Sequence, residues 1–349
     1  MERRITRQVS VGGVLLGGGA PVSVQSMTCT DTRDVEATCA QIARLQAVGC
    51  DIVRLAVVDA EAATAIGEIK KRVQIPLVAD IHFDYRLALE CIKNGVDKVR
   101  INPGNIGDRD RVRQVVQAAK ERKIPIRIGI NTGSLEKEAL EKYGSPCAQA
   151  MVESAKKHIE MLEAEDFYDI VVSLKASDVI KTIEAYRLMA DTYDYPLHVG
   201  VTEAGTAYAG TIKSAIGIGT LLAEGIGDTI RVSLTADPVQ EIVAGQKILK
   251  ALGLRKEGIN LVSCPTCGRC RVNVIDVASQ LEQKIEGISK QLTVAVMGCA
   301  VNGPGEAKEA DIGIAGGNGE FLLFKKGEII EKIPMDGAVD RLVEEINLL

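Results

Sequence analysis

From residue 20 to about residue 253 the chain repeats one pattern: a short β-branched run closing on polar residues, then a stretch whose apolar positions recur at helical spacing. The runs are VSVQSMT (22–28), IVRLAV (52–57), LVADIHF (77–83), KVRINP (98–103), IRIGIN (126–131), DIVVSLK (169–175), LHVGVTEAG (197–205) and TIRVSLT (229–235). DVEATCAQIARLQAVG and DPVQEIVAGQKILKALG typify the helical stretches between them. Capping residues open many of these (Asp34, Asp59, Asp108, Ser177, Asp237), and several end at Gly (Gly49, Gly95, Gly253). Pro146 and Pro238 suit the first turn of a helix. Eight strand–helix units on short connections predict a closed α/β fold, the (β/α)8 TIM barrel. An open doubly wound sheet is the rival, but it expects a glycine-rich phosphate loop after its first strand, and VQSMTCTDTRDV has none.

After Gly253 the rhythm changes. INLVSCPTCGRC, a helix around 273–286, QLTVAVMGCAVNGPGEAKEADIGIAGG and GEFLLFKKGEII alternate strands with glycine-rich turns, which predicts a small α+β domain. The expected boundaries are 1–255 for the barrel and 256–349 for the second domain. Composition narrows the picture further. At 46% hydrophobic and 26% charged, the 349 residues suit a soluble globular protein. With 3% aromatics and no Trp, the core must be Val, Ile, Leu and Ala, the palette of sheets buried on both faces. The basic start MERRITRQVSVGGVLLGGGA lacks a signal-peptide core, and no run approaches the ~18 apolar residues that span a bilayer. The expected location is therefore cytoplasmic, where clustered thiols point to metal or redox chemistry rather than disulfides. A net charge of −5 provides no global field for nucleic acid, so an anionic ligand must be gripped locally.

Chemistry in such barrels sits at the carboxyl ends of the strands, and residues two apart in a strand share a face. By that rule Arg100 goes with Asn102, Arg127 with Asn131 across Gly129, and Ser173 with Lys175. Asp80 goes with His82, His198 with Thr202 and Arg231 with Ser233, while Arg54 stands inside VRLAV. A charge within a β-branched strand is costly to bury unless paired or bound to ligand. Any one of these residues reads equally well as a structural ion pair. Arg54, Arg100, Arg127, Arg231 and Lys175 together, with Asn102 and Asn131, instead describe a cradle for a diphosphate or bisphosphate. His82 and His198 lie at strand ends, as pocket residues or structural imidazoles, whereas His158 belongs to the helical AMVESAKKHIEML. Glu203, in VTEAG, has small and apolar neighbours. Beside an anion such a carboxyl favours its protonated form, which makes Glu203 a candidate proton donor; a partner for an arginine is the competing reading.

SCPTCGRC sets Cys264, Cys267 and Cys270 at successive CxxC spacings, and Cys299 follows in a glycine-flanked turn. Zinc and an iron–sulfur cluster fit that spacing equally. A catalytic dithiol fits less well, because neither CxxC leads into a redox-domain pattern. The polar turn NGPGE beyond Cys299 is more than a zinc staple requires. Pro304 and two glycines place Glu306 to bend back toward the same centre as a labile carboxylate ligand beside three thiolates; the competing reading is a solvated carboxylate, the usual state of one in a turn. Cys29, Cys39, Cys50, Cys91 and Cys147 are scattered through the barrel and read mostly as small core residues.

SCPTCGR, MGCAVNGPGEA, ADIHF, VRINPGN, GINTGSL, SLKAS, GVTEAG and IRVSLT together resemble, over nearly the whole chain, the bacterial two-domain form of the 4-hydroxy-3-methylbut-2-enyl diphosphate synthase family. The resemblance implies a dihydropteroate-synthase-like barrel followed by a small α+β iron–sulfur domain. It implies a [4Fe-4S] cluster held by Cys264, Cys267, Cys299 and Glu306, with no ligand role for Cys270. The implied reaction is reductive ring opening and dehydroxylation of 2-C-methyl-D-erythritol 2,4-cyclodiphosphate in non-mevalonate isoprenoid synthesis. Flavodoxin or ferredoxin would deliver the electrons singly. Displacement of Glu306 would free an iron to grip the departing oxygen, Glu203 would supply its proton and Asn302 would orient the substrate. A head-to-tail homodimer is implied as well, one subunit's cluster domain capping the other's barrel.

Two other classes remain open on the residues alone. A barrel aldolase or isomerase would use Lys175 as Schiff base and the cysteines as a zinc staple. An electron-transfer module with no substrate of its own would leave the polar strand ends without a purpose.

Overall fold

The computed structural model describes residues 2–349 apart from 103–104, 107–108, 257 and 301–306. The chain divides into two compact units, Met1–Arg255 and Lys256–Leu349. The first opens with an antiparallel hairpin of β1 (Val9–Val11) and β2 (Val14–Leu16). Its turn is Gly12–Gly13, both at positive φ, the backbone twist that two-residue hairpin turns demand.

Eight parallel strands follow: β3 (Ser23–Met27), β4 (Ile52–Ala56), β5 (Leu77–Asp80), β6 (Lys98–Ile101), β7 (Ile126–Asn131), β8 (Ile170–Lys175), β9 (His198–Val199) and β10 (Thr229–Ile230). All eight strand runs read from the sequence are present, the last two shortened to a pair of residues each. The sheet runs β8-β7-β6-β5-β4-β3-β10-β9, and a parallel bridge from Val172 to Leu197 closes it into a barrel. At that thin seam the buried Tyr186 hydroxyl donates to the His198 carbonyl (2.5 Å) and accepts from the Leu174 amide (3.0 Å).

The helices are α1 (Val35–Ala47), α2 (Ala60–Arg72), α3 (Tyr85–Lys93), α4 (Arg109–Arg122), α5 (Lys137–Tyr143), α6 (Ala148–Glu163), α7 (Val179–Thr192), α8 (Ala207–Ala223) and α9 (Pro238–Ala251). Asp34, Asp59 and Asp237 cap α1, α2 and α9 by accepting from Ala37, Ala62 and Val239. Two expectations shift by one or two residues. Asp178, not Ser177, caps α7, because its carboxylate reaches the Lys181 amide; Pro146 precedes the cap Cys147 of α6 instead of entering its first turn. Asp108 lies outside the described residues.

Leu55, Ala79, Val99, Ile128 and Val172 face outward into the core shared with the helices. The inward positions alternate with them. At the amino-terminal end Ile52, Val78 and Val171 pack against Val9, Val11 and Leu16 of the hairpin, an apolar plug that seals the floor. One inward step above that plug stand Arg54, Asp80 and Ser173, so the barrel turns from apolar to polar within two residues.

The second unit is a five-stranded sheet in the order β11 (Ile259–Ser263), β12 (Leu292–Met297), β13 (Ile312–Gly316), β14 (Glu320–Lys325), β15 (Glu328–Pro334). The first three are parallel and the last two antiparallel. Helices α10 (Val274–Lys284) and α11 (Ala338–Leu348) bury Leu281, Leu342 and Ile346 against Val294, Val296, Ile312 and Ile314. No described helix is long and apolar enough to cross a membrane.

Candidate active site

Strand register gathers the charged residues at the barrel mouth. Asp80 pairs in register with Arg100, and Arg100 with Arg127; Gly129 lies opposite Ser173 and Asn131 opposite Lys175. Asp80 is the hub. Arg100 Nη1 donates to its Oδ1 at 3.1 Å, Arg54 Nε stands 3.8 Å from Oδ2, and the exposed His82 ring brings Nε2 to 3.5 Å. Burial alone would push the Asp80 carboxyl up, but Arg54, His82, Arg100 and Arg127 outweigh it and hold the group well below the usual carboxylate range. Arg100 also donates through Nη2 to the Gly129 carbonyl at 3.3 Å. A Cβ at Gly129 would stand 2.4 Å from Arg100 Nε, so the glycine is what lets the guanidinium lie across β7.

The remaining cations are less well matched. Arg127 is 1% exposed, and its Nε and Nη1 lack hydrogen-bond partners. Burial, then the charges of Arg54 and Arg100, lower its pKa well below the ordinary value. Burial and the same kind of repulsion bring Arg54 down to about 10. Lys175 Nζ lies 3.4 Å from His198 Nε2, and His198 Nδ1 lies 3.4 Å from Thr229 Oγ1. Burial first, and cationic neighbours second, push both Lys175 and His198 well below their usual values. Arg231 Nε is 3.5 Å from Glu241 Oε2, too long for a strong hydrogen bond, and Glu241 is already held by Ser26 Oγ at 2.8 Å and the Leu234 amide at 3.0 Å.

Arg54, Lys98, Arg100, Arg127, Lys175 and Arg231 thus face the carboxylates of Asp80 and Glu241 alone among the described residues. Two unit charges ~6 Å apart at an effective dielectric near 20 repel by about 3 kcal/mol. A barrel so charged is primed for an anion carrying several charges.

The other sequence-predicted residues fall around this cluster. Asn102 and Ser173 are buried; Asn131, Thr202 and Ser233 are half-buried at the strand ends. Glu203 differs from expectation. It follows β9 with φ +51 and its side chain is exposed, so the apolar enclosure read from its neighbours is not formed. The loop leaves the strand there, and flanking small residues have no bulk with which to cover a carboxylate. His158 is buried on α6 with Nε2 at 2.8 Å from Glu136 Oε1, a packing role away from the strand ends. Sequence reasoning passed over Lys98, Gln25 and Glu241, and noted Asp80 only as a face-mate of His82. The two-residue step from Arg100 back to Lys98 was the available signal.

In the second unit Cys264 follows β11, and Cys299 follows its parallel neighbour β12, so both leave the same end of the sheet. The Gly298 amide donates to Cys264 Sγ at 3.1 Å. Cys267 is exposed; a hydrogen bond from the Arg269 backbone, with further ones from the Arg269 side chain and the Cys270 thiol, lowers its pKa against the opposing effect of burial. Cys270 turns inward. Its sulfur accepts from the Cys267 amide at 3.4 Å and sits 2.6 Å from where a Gly298 Cβ would be, packed against the domain core. Among the described residues no three His, Cys, Asp or Glu side chains are grouped to hold a metal ion. Asn302 and Glu306 lie outside the described residues. The donor set nevertheless fits an iron–sulfur group: soft sulfur donors, one with its pKa lowered by hydrogen bonds, and a backbone amide aimed at sulfur, the contact by which proteins tune such clusters.

Comparison with known proteins agrees with this architecture. The GcpE TIM-barrel domain matches residues 6–246, and the GcpE protein C-terminal domain matches residues 260–348. A protein of Ruminiclostridium cellulolyticum is 66% identical over 347 residues, 99% of this chain and 98% of its own. One of Geobacter sulfurreducens is 62% identical (98% and 97% covered), and one of Clostridium perfringens is 60% identical over the full length of both. All three are named 4-hydroxy-3-methylbut-2-en-1-yl diphosphate synthase (flavodoxin). Among solved structures, a dihydropteroate synthase of Coxiella burnetii aligns at a TM-score of 0.50 and 11% identity, over 70% of this chain and 97% of its own. A 3-dehydroquinate dehydratase of Geobacillus kaustophilus aligns at 0.50 and 15% identity, over 72% and 98%. At such identities these two speak for the fold alone. With both of its units matched in order and relatives this similar from end to end, the chain belongs to the GcpE family.

Proposed function

We propose that this chain converts 2-C-methyl-D-erythritol 2,4-cyclodiphosphate to (E)-4-hydroxy-3-methylbut-2-enyl diphosphate. The barrel, residues 1–255, is the substrate domain, and residues 256–349 form the cluster domain. The observation that carries the reading is the surplus of buried cations over Asp80 and Glu241, which a doubly phosphorylated guest would neutralise. Arg54, Arg100, Arg127, Lys175 and Arg231 grip phosphate oxygens. Asn102, Asn131, Ser173, Thr202 and Ser233 contribute neutral hydrogen bonds around them. His198, kept neutral by burial and cationic neighbours, offers a ring nitrogen without adding charge.

The reaction consumes two electrons and one proton. The ring C–O bond and the C–O bond of the departing hydroxyl break, a C=C bond forms, the diphosphate stays on the product, and water leaves. Glu203, on the loop after β9, donates the proton to the leaving hydroxyl, and Asn302 orients the substrate. Held by Cys264, Cys267, Cys299 and Glu306, a [4Fe-4S] cluster would supply single electrons and Lewis acidity. Flavodoxin, the donor in the name of the relatives, or a ferredoxin delivers the electrons. The working assembly we infer is a head-to-tail homodimer, which sedimentation would report as twice the chain mass.

The test is anaerobic turnover of the cyclic diphosphate with reduced flavodoxin, read by mass spectrometry. Glu203→Gln should lose turnover while keeping the visible absorption of the cluster. A colourless protein with stoichiometric zinc, or an iron-loaded protein that forms no product, overturns the proposal.

A further inference from the structure

Beneath the arginine cradle lies a buried cation that the function above leaves without a task. Lys98 begins β6 and points inward, since Val99 and Ile101 face the helices and Arg100 follows at a two-residue step. Its side chain is fully buried, and Nζ has no hydrogen-bond partner. The charges that act on it are Arg127 from β7 and Arg54 from β4, His198 of β9 feels it in turn, and no carboxylate is among them. Asp80, the carboxylate of the neighbouring strand, is engaged one step higher by Arg100. On the inward face of β3, both amide atoms of Gln25 and the Ser23 hydroxyl are likewise buried without partners.

Packing does not require an amine here. Val78 pairs in register with Lys98 and belongs to the apolar plug, so an apolar side chain at 98 would simply extend that plug. A buried amine is unfavourable in either state: charged, it lacks a counter-ion; neutral, it leaves donors unmet. Such a group gains a purpose when an anion arrives. We propose that Lys98 is a further substrate-binding residue, the floor contact that meets a phosphate of the guest from below Arg100 and Arg127. The inference rests on the proposed substrate and adds to it that one phosphate enters the barrel to the depth of β6. Burial, followed by the Arg127 and Arg54 charges, favours the neutral amine in the empty barrel. Binding should therefore draw a proton from solvent onto Lys98.

The experiment is calorimetric titration of the anaerobic, iron-loaded protein with the cyclic diphosphate, in two buffers of different ionisation enthalpy. Lys98→Met and Lys98→Gln are compared with the parent, and inorganic pyrophosphate serves as a second probe. Both variants should fold, bind about 10- to 100-fold more weakly, and take up fewer protons. Their KM should rise by a similar factor, with kcat changed much less. Parent-like affinity and proton count in either variant would overturn the inference, as would failure of both to fold, which would make Lys98 structural. If the parent ignores the cyclic diphosphate yet binds pyrophosphate in a Lys98-dependent way, the floor contact stands and the substrate assignment falls.

Discussion

Replacing Asp80 with Asn removes the anion that Arg54, Arg100 and Arg127 share while keeping the shape of the side chain. The Arg100 contact at 3.1 Å is worth about 5 kcal/mol of Coulomb energy at an effective dielectric near 20, and the Arg54 contact at 3.8 Å about 4. Desolvation offsets much of this, and breaking one side of a buried pair costs a net ~3–5 kcal/mol. For a unit of this size each kcal/mol moves the melting midpoint by roughly 2–4 °C, so the ligand-free variant should melt about 6–20 °C lower. Thermal scans with and without millimolar pyrophosphate make the cause visible. The anion replaces the missing charge, so the variant should gain more from pyrophosphate than the parent does. Equal shifts in the two proteins, or an unchanged midpoint without ligand, would refute the view of Asp80 as counter-ion to the cradle.

Cys299→Ser should abolish cluster assembly, whereas Cys270→Ala should retain iron and colour at some loss of stability, because Cys270 fills space over Gly298; iron content and visible spectra distinguish the two. Tyr186→Phe removes the hydroxyl between the Leu174 amide and the His198 carbonyl and should destabilise the barrel by about 1–3 kcal/mol in urea unfolding. Lys98 and Lys175 have folded pKa values below the unfolded ~10.4, so the unfolded chain binds more protons across that window. Ligand-free stability should then climb as pH rises toward about 10, and Lys98→Met should flatten the slope by up to ~1.4 kcal/mol per pH unit; an unaltered slope would contradict the depressed value. Asp80 has the opposite sign: its contribution holds above the unfolded ~3.9 and drains away as pH falls below it, so the parent should lose more in acid than Asp80→Asn.

The eight strand runs and the change of rhythm after Gly253 were legible because period and punctuation are local properties: β-branched runs, capping Asp and terminal Gly act within a few residues of themselves. The same holds for which strand residues share a face, and hence for the Arg and Lys cradle. The VGGV hairpin was missed although its glycines announced it, because a three-residue strand has no periodicity of its own; its reason for existing is the apolar floor it plugs. Depth along a strand was illegible as well. Lys98 and Arg100 look alike in a run of letters, and only the register against Val78 and Asp80 sets one on the floor and the other at a counter-ion. The apolar enclosure expected for Glu203 failed for a related reason, since neighbours in sequence do not enclose a side chain on a loop that leaves the sheet. The chain's own order of residues decided the barrel, its inward faces and the close spacing of its cysteines. Tertiary closure decided which cations remain unmatched, because the balance of charge in a buried interior depends on distances across the barrel, between residues far apart in the chain.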